Sequence, residues 1–184
     1  MRPILKFPNL RLARTLSRFH VADDGVTAIE FAFVAPIFIA LLIAIIQSMI
    51  FLFSQQVLQE AATNAGRLIM TGQVQNSGLT QSQFQADICP MISVLFTCGN
   101  LMVNVQTYDS YSDANTTVPT LTYNAQGQVT NTWSYNPGAP GDIVVVQLIY
   151  PEPVVNGLLG FAFSDLQNGT AEMVGATAIR VEPY

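Results

Sequence analysis

Histidine is almost missing from this chain of 184 residues: the one present is His20. Without a second, no Ser-His-Asp, Cys-His or HExxH arrangement can be assembled past the first twenty residues. Phosphate-cradling and dinucleotide-type glycine patterns are also lacking. The carboxylates Asp109, Asp113, Asp142, Glu152 and Asp165 follow no paired spacing of the kind glycoside hydrolysis uses. The expectation is a protein that is not an enzyme and holds no cofactor. Charge is scarce as well, at 10% of residues. Basic charge is scarcest where a ligand would be met: beyond residue 22 only Arg67 and Arg180 stand against all twelve acidic residues, a balance of −10. Nucleic acid, which needs basic surface to neutralise phosphates, is excluded as a partner. Cysteine is limited to Cys89 and Cys98. With no further Cys or His nearby to complete a zinc site, the pair reads as a disulfide of an oxidising compartment, closing a short loop.

What the chain does have is an apolar run. From Phe31 to Phe53 there is no charge, and only Gln47 and Ser48 are clearly polar. About 23 such residues are enough to cross a bilayer core of roughly 30 Å as a helix. The remaining five basic residues, Arg2, Lys6, Arg11, Arg14 and Arg18, all precede the run. By the positive-inside rule that end stays cytoplasmic and everything after Phe53 is exported.

Three readings compete for the N-terminus. A cleaved signal peptide fits poorly, because the run is long and no small-residue cleavage pattern follows it. An uncleaved signal anchor needs only the length and the charge asymmetry. Cleavage after Gly25, on the cytoplasmic side, would leave a mature chain that starts at Val26 and keeps its membrane helix. Gly25 offers an open backbone to a protease. Glu30 would then be the fifth mature residue, near a helix start whose dipole favours a carboxylate, and within reach of the new α-amino group. A carboxylate near membrane depth is costly and usually has a partner or a role.

Gly25, four residues, then Glu30-Phe31, set between a basic leader and a long apolar run, resembles the processing pattern of Flp-type pilins of tight-adherence (Tad) pilus systems. Val26-Thr27-Ala28-Ile29-Glu30-Phe31-Ala32 leading into a helix with Pro36 resembles the TadE family in particular. Asp23-Asp24 departs from the basic residues many prepilins carry there. The resemblance implies a minor pilin or pseudopilin that acts by assembly in Flp pilus formation. It implies a prepilin peptidase that cleaves after Gly25, and other Tad pilins or pseudopilins as partners. It also implies a single-pass location in the bacterial inner membrane, N-terminus cytoplasmic and domain periplasmic.

Past the run, Val57, Leu58, Ala61, Ala65, Leu68 and Ile69 keep helical spacing, with Gln55, Gln59, Glu60, Asn64 and Arg67 on the opposite side. One helix from about Val26 to Thr71 is expected, roughly 70 Å long at 1.5 Å per residue, stopped by Gly72. The chain thus divides into a leader at 1–25, a long helix at 26–72 with its transmembrane part about 31–53, and a periplasmic domain at 73–184.

In that domain Thr80 to Phe96 reads as a short helix interrupted by Pro90. Leu101 to Gln106 alternates as a strand. Leu121-Thr122-Tyr123 and Gln128-Val129-Thr130 suggest a hairpin. Asp142 to Tyr150 is a β-branched, central strand ended by Pro151 and Pro153. Val154 to Phe163 reads as a loop or short helix over the sheet, and Met173 to Val181 as a last strand. The fold class expected is α+β and pilin-like, with an antiparallel sheet of four or five strands packed on the long helix.

Two weaker features remain. Asp109 to Asn115 places oxygen ligands at alternate positions but lacks the glycine and closing glutamate of a calcium loop, so a solvated loop is expected there. Tyr108, Tyr111, Tyr123, Trp133 and Tyr135 cluster in loop-rich sequence, with Tyr111, Trp133 and Tyr135 the candidates for a binding patch. They motivate a second reading, an uncleaved bitopic protein whose exported domain recognises a sugar or peptide.

Overall fold

The computed structural model describes residues 25–153 and 169–184. The basic leader with His20, Asp23 and Asp24, and the Val154–Phe163 segment, lie outside the described residues.

Helix α1 runs from Val26 to Met70, matching the expected span to a residue or two. Its character changes partway. Through Phe53 most large apolar side chains are turned outward, with Phe31 73% and Phe33 74% exposed, while Phe51 packs against the core. From Ser54 a buried stripe begins: Ser54, Leu58, Ala61, Ala62, Ala65 and Ile69 follow three- and four-residue steps. Gly72, at φ 71°, ends the helix as anticipated. Residues to Ile45 and residues from Ile46 onward form two separate compact units. The second holds the hydrophobic core.

That core is built on three antiparallel strands in the order β1 (Met102–Tyr108), β2 (Ile143–Pro153), β3 (Thr170–Arg180). On one face Val103, Val105, Val144, Val146, Leu148, Tyr150 and Met173 meet Leu58, Ala61, Ala65 and Ile69 of α1. Two short helices complete this layer: α2 (Gln73–Ser77) and α3 (Gln81–Ile92). Helix α3 is started by a capping box between Thr80 and Gln83 and buries Phe84, Ile88 and Ile92. Pro90 is accommodated inside it, and the helix stops at Ile92, before the expected Phe96.

Among the described residues the sheet has three strands, fewer than the four or five expected. Asparagine side chains explain the shortfall. Asn124 Oδ1 accepts from the Gln126 and Gln128 amides, Asn131 Oδ1 from Thr122, and Asn115 Oδ1 from Thr117. These local bonds satisfy backbone groups that a ladder would have used. The expected hairpin is reduced to one antiparallel bridge, Tyr123 to Val129.

Pro151 and Pro153 do not end β2, a second correction. β2 pairs with β3 as far as Pro153–Thr170, whereas β1 stops at Met102–Ile149. Val105 bonds outward to Ser134 and Asn136, so even-numbered residues of β1 face β2. The odd-numbered residues of β2, both prolines included, therefore face the β1 side. There, past the end of β1, a missing N–H costs no ladder bond.

Gln55 and Gln59 depart from the expected solvent side of α1. Gln55 Nε2 donates to the Val174 carbonyl (2.8 Å), and Gln59 exchanges bonds with Ala176 in both directions (2.8 and 3.1 Å). One turn apart, they close the free edge of β3. α3 does the same on the other side: Gln81 donates to the Val103 carbonyl and Gln85 to that of Leu101, each at 2.8 Å.

Close approach of α1 and β3 needs glycine. A Cβ on Gly175 would lie 2.5 Å from the Leu58 carbonyl oxygen and 2.8 Å from its carbon. Gly175→Ala should therefore lower stability by roughly 1–3 kcal/mol, measured by urea unfolding of the detergent-solubilised protein. Gly99→Ala, which meets nothing within 4 Å, should be nearly silent. Equal midpoints for both variants would contradict this packing.

Candidate functional site

Two regions carry functional features. The first is the start of α1. Gly25 is exposed, a Cβ there would touch nothing within 4 Å, and it directly precedes the first helical residue, Val26. Val26 and Glu30 are four apart on the helix and so share a face, both exposed. The first turn holds no acidic residue. Glu30 sits just past it, where the helix dipole counts for less than at the first positions. Phe31 is exposed beside it. α1 is long and apolar enough to cross a membrane, which fits a single-pass membrane protein.

The second region is a groove of about 530 Å³ on the sheet face turned away from α1. Its base is Met102 at the start of β1, Pro151 and Pro153 on the overhang of β2, and Thr170 at the start of β3. Gly99 and Asn100 form one side, and Tyr123, Gly127, Gln128, Val129 and Trp133 the other. The same face buries a polar network further along. Asn104 Nδ2 donates to Gln147 Oε1 (2.8 Å), Gln147 to the Thr117 carbonyl (3.0 Å), and the Ser134 amide to Asn104 Oδ1 (3.1 Å).

Cys89 and Cys98 are joined in a disulfide with Cα atoms 5.6 Å apart. It ties α3 to the 3-10 turn Cys98–Asn100, the side of the groove that carries Gly99 and Asn100. Nearby, the Thr97 amide donates to the Tyr150 hydroxyl (3.1 Å), and the Phe96 and Tyr150 rings meet edge to face at 4.7 Å.

The candidate aromatic residues part company. Trp133 lines the groove, with Tyr123 beside it. Tyr135 packs on Phe84 (5.7 Å between centroids) and is partly buried against the core. Burial, with Asp87 adding to it, pushes the Tyr135 phenol up to about 12. Tyr111 is exposed in the loop after β1, and neither it nor Tyr135 is among the groove's lining residues. In that loop Ser110 bonds to Asp113 and Ser112. Asn100, Gln128 and the two prolines were not singled out as site residues from sequence. The overhang of β2 that gathers them is a consequence of strand lengths, which no local motif signals.

Beside the groove lies a polar patch. Burial pushes the carboxyl of Glu172 up from its ordinary value there, and does the same to Glu152 on the opposite face of the sheet. Burial also pushes the Tyr123 phenol up. Thr170 Oγ1 is near enough to ease that rise, yet the geometry falls short of a full hydrogen bond, and both oxygens are left without a well-formed partner. Glu172 Oε1 is likewise buried and unpartnered. A carboxyl whose pKa is raised on folding stabilises the fold below its unperturbed value of 4.5. That contribution is lost as pH rises through the folded-state value. Glu172→Gln should therefore raise the urea midpoint at pH 7 and flatten the decline in stability between pH 4.5 and neutrality. An unchanged pH profile would contradict this reading of Glu172.

Comparison with known proteins adds a family. Residues 25–67 match the family model described as TadE-like protein. No curated protein and no solved structure matches the chain. The match begins at Gly25, takes in Val26, Glu30 and Phe31, and stays within α1 without reaching the sheet. Over residues 25–67, its N-terminal helix, the chain is similar to TadE-like proteins.

Proposed function

We propose that this chain is a minor pilin or pseudopilin in the assembly of a Tad (Flp-type) pilus. In this reading the leader is removed after Gly25 by a prepilin peptidase at the inner membrane, and the mature protein begins at Val26. The observation that carries the reading is the stem itself. A TadE-like helix starts directly after an open glycine, shows most of its large apolar side chains outward through Phe53, and then enters the core of a folded domain.

The basic leader orients the chain with its first residues cytoplasmic and its domain periplasmic. In this reading Glu30, one turn from Val26, pairs with the α-amino group that cleavage creates, or with that of a neighbouring subunit. A carboxylate that near lipid is stabilised most by such a partner. Small residues along the stem, Ala32, Ala35, Ala40 and Ala44, permit close approach of other pilin helices.

Gly25→Val should block processing, leaving a product of slower mobility on an immunoblot of the producing cells. A product of wild-type mobility would rule out cleavage at this bond. Glu30→Ala should leave membrane insertion and processing intact and reduce incorporation into sheared pili several-fold. Undiminished piliation would remove Glu30 from the assembly step.

A further inference from the structure

We propose that the groove between the β2 overhang and the Tyr123–Val129 bridge is a binding site for an uncharged saccharide of one or two rings. The proposal is independent of the pilus reading, which rests on the stem.

The lining chemistry selects the ligand. Among the described residues, none that lines the groove is charged, so neither an anion nor a cation finds a counterion among them. Trp133, Tyr123, Pro151, Pro153 and Met102 offer apolar faces of the kind on which a pyranose ring stacks through its C–H groups. Interspersed with them are hydrogen-bonding groups that the protein leaves unspent. The Asn100 side-chain amide and the Trp133 indole N–H have no partner among the described residues. Gln128 Oε1 is taken by Asn124 Nδ2 (3.0 Å), which leaves the Gln128 Nε2 donors for a ligand. Tyr123 OH and Thr170 Oγ1 are buried at the same place, close to each other but without a well-formed hydrogen bond. Groups of this kind usually mark a bound molecule or water. A primary amide carries both donors and an acceptor, the pattern that vicinal hydroxyls match.

Size agrees, since about 530 Å³ falls within the roughly 300–1,000 Å³ of small-molecule sites. A peptide strand fits less well. The exposed edge here is that of Pro151 and Pro153, which offer carbonyls but no N–H, so an added strand could not form reciprocal bonds. The disulfide to Cys98 and the capping box of α3 hold the Asn100 side in place. The acceptor positions are thereby preorganised.

Trp133 is the only tryptophan of the chain, so its fluorescence reports this groove alone. The full chain in detergent would be titrated with maltose, cellobiose, lactose and N,N′-diacetylchitobiose, with glucuronic acid and an extended alanine-threonine peptide as comparators. The expected result is a saturable change with at least one neutral disaccharide and none with the comparators. Asn100→Ala combined with Gln128→Ala, both exposed positions, should weaken that binding at least tenfold with circular dichroism and urea midpoint unchanged. Three results would each overturn the proposal: no saturable change with any disaccharide, wild-type affinity in the double variant, or saturation by the peptide in place of the sugars.

Discussion

A sheet of three strands has as many edges as it has inner pairings, and the domain rests on how those two edges are closed. Backbone N–H and C=O groups along an open edge must be satisfied or they invite other strands. Here glutamines one helical turn apart do this on both sides. Gln55 and Gln59 of α1 take the edge of β3, and Gln81 and Gln85 of α3 take that of β1. Val105 is satisfied by Ser134 and Asn136 of the passing chain. Each helix is thus bound to the sheet twice, by an apolar stripe and by an adjoining amide pair. That double attachment fixes rotation as well as contact, and it places the Gly175 backbone against Leu58.

The same helix carries two solvents' worth of surface. Most of its large apolar residues through Phe53 are exposed, Phe51 packing on the core, while from Ser54 onward the stripe is narrower, smaller and buried. Ala61, Ala62 and Ala65 let the sheet approach, whereas Phe31, Phe33 and Phe38 suit a lipid environment. The match to the TadE-like model spans both parts, and the sheet domain lies beyond the matched residues.

Much of this was legible in the residues. Uninterrupted apolar length marks the stem, three- and four-residue spacing marks Leu58 to Ile69, and the β-branched run Ile143 to Tyr150 marks a central strand. The Cys89–Cys98 pairing could be read because no competing ligand exists. What was not legible depends on partners far along the chain. A glutamine beside an apolar stripe looks the same whether it faces water, as Gln56 does, or a strand edge, as Gln59 does. Pro151 and Pro153 look like strand breakers until β1 is seen to end before them. The Asn-rich stretch from 115 to 131 has strand-like alternation, but its side chains bond their own backbone first. The groove arises from that mismatch of strand lengths, so only Trp133 and Tyr123 hinted at it.

The division of α1 between lipid and protein is the claim on which both the membrane reading and the packing depend. It is tested most directly by photolabelling the protein in its native membrane with a lipid-soluble carbene reagent and mapping the labelled peptides by mass spectrometry. The account predicts label on peptides within 31–53 and none on Leu58 to Ile69. Label on the second stretch, or protection of the first, would contradict it.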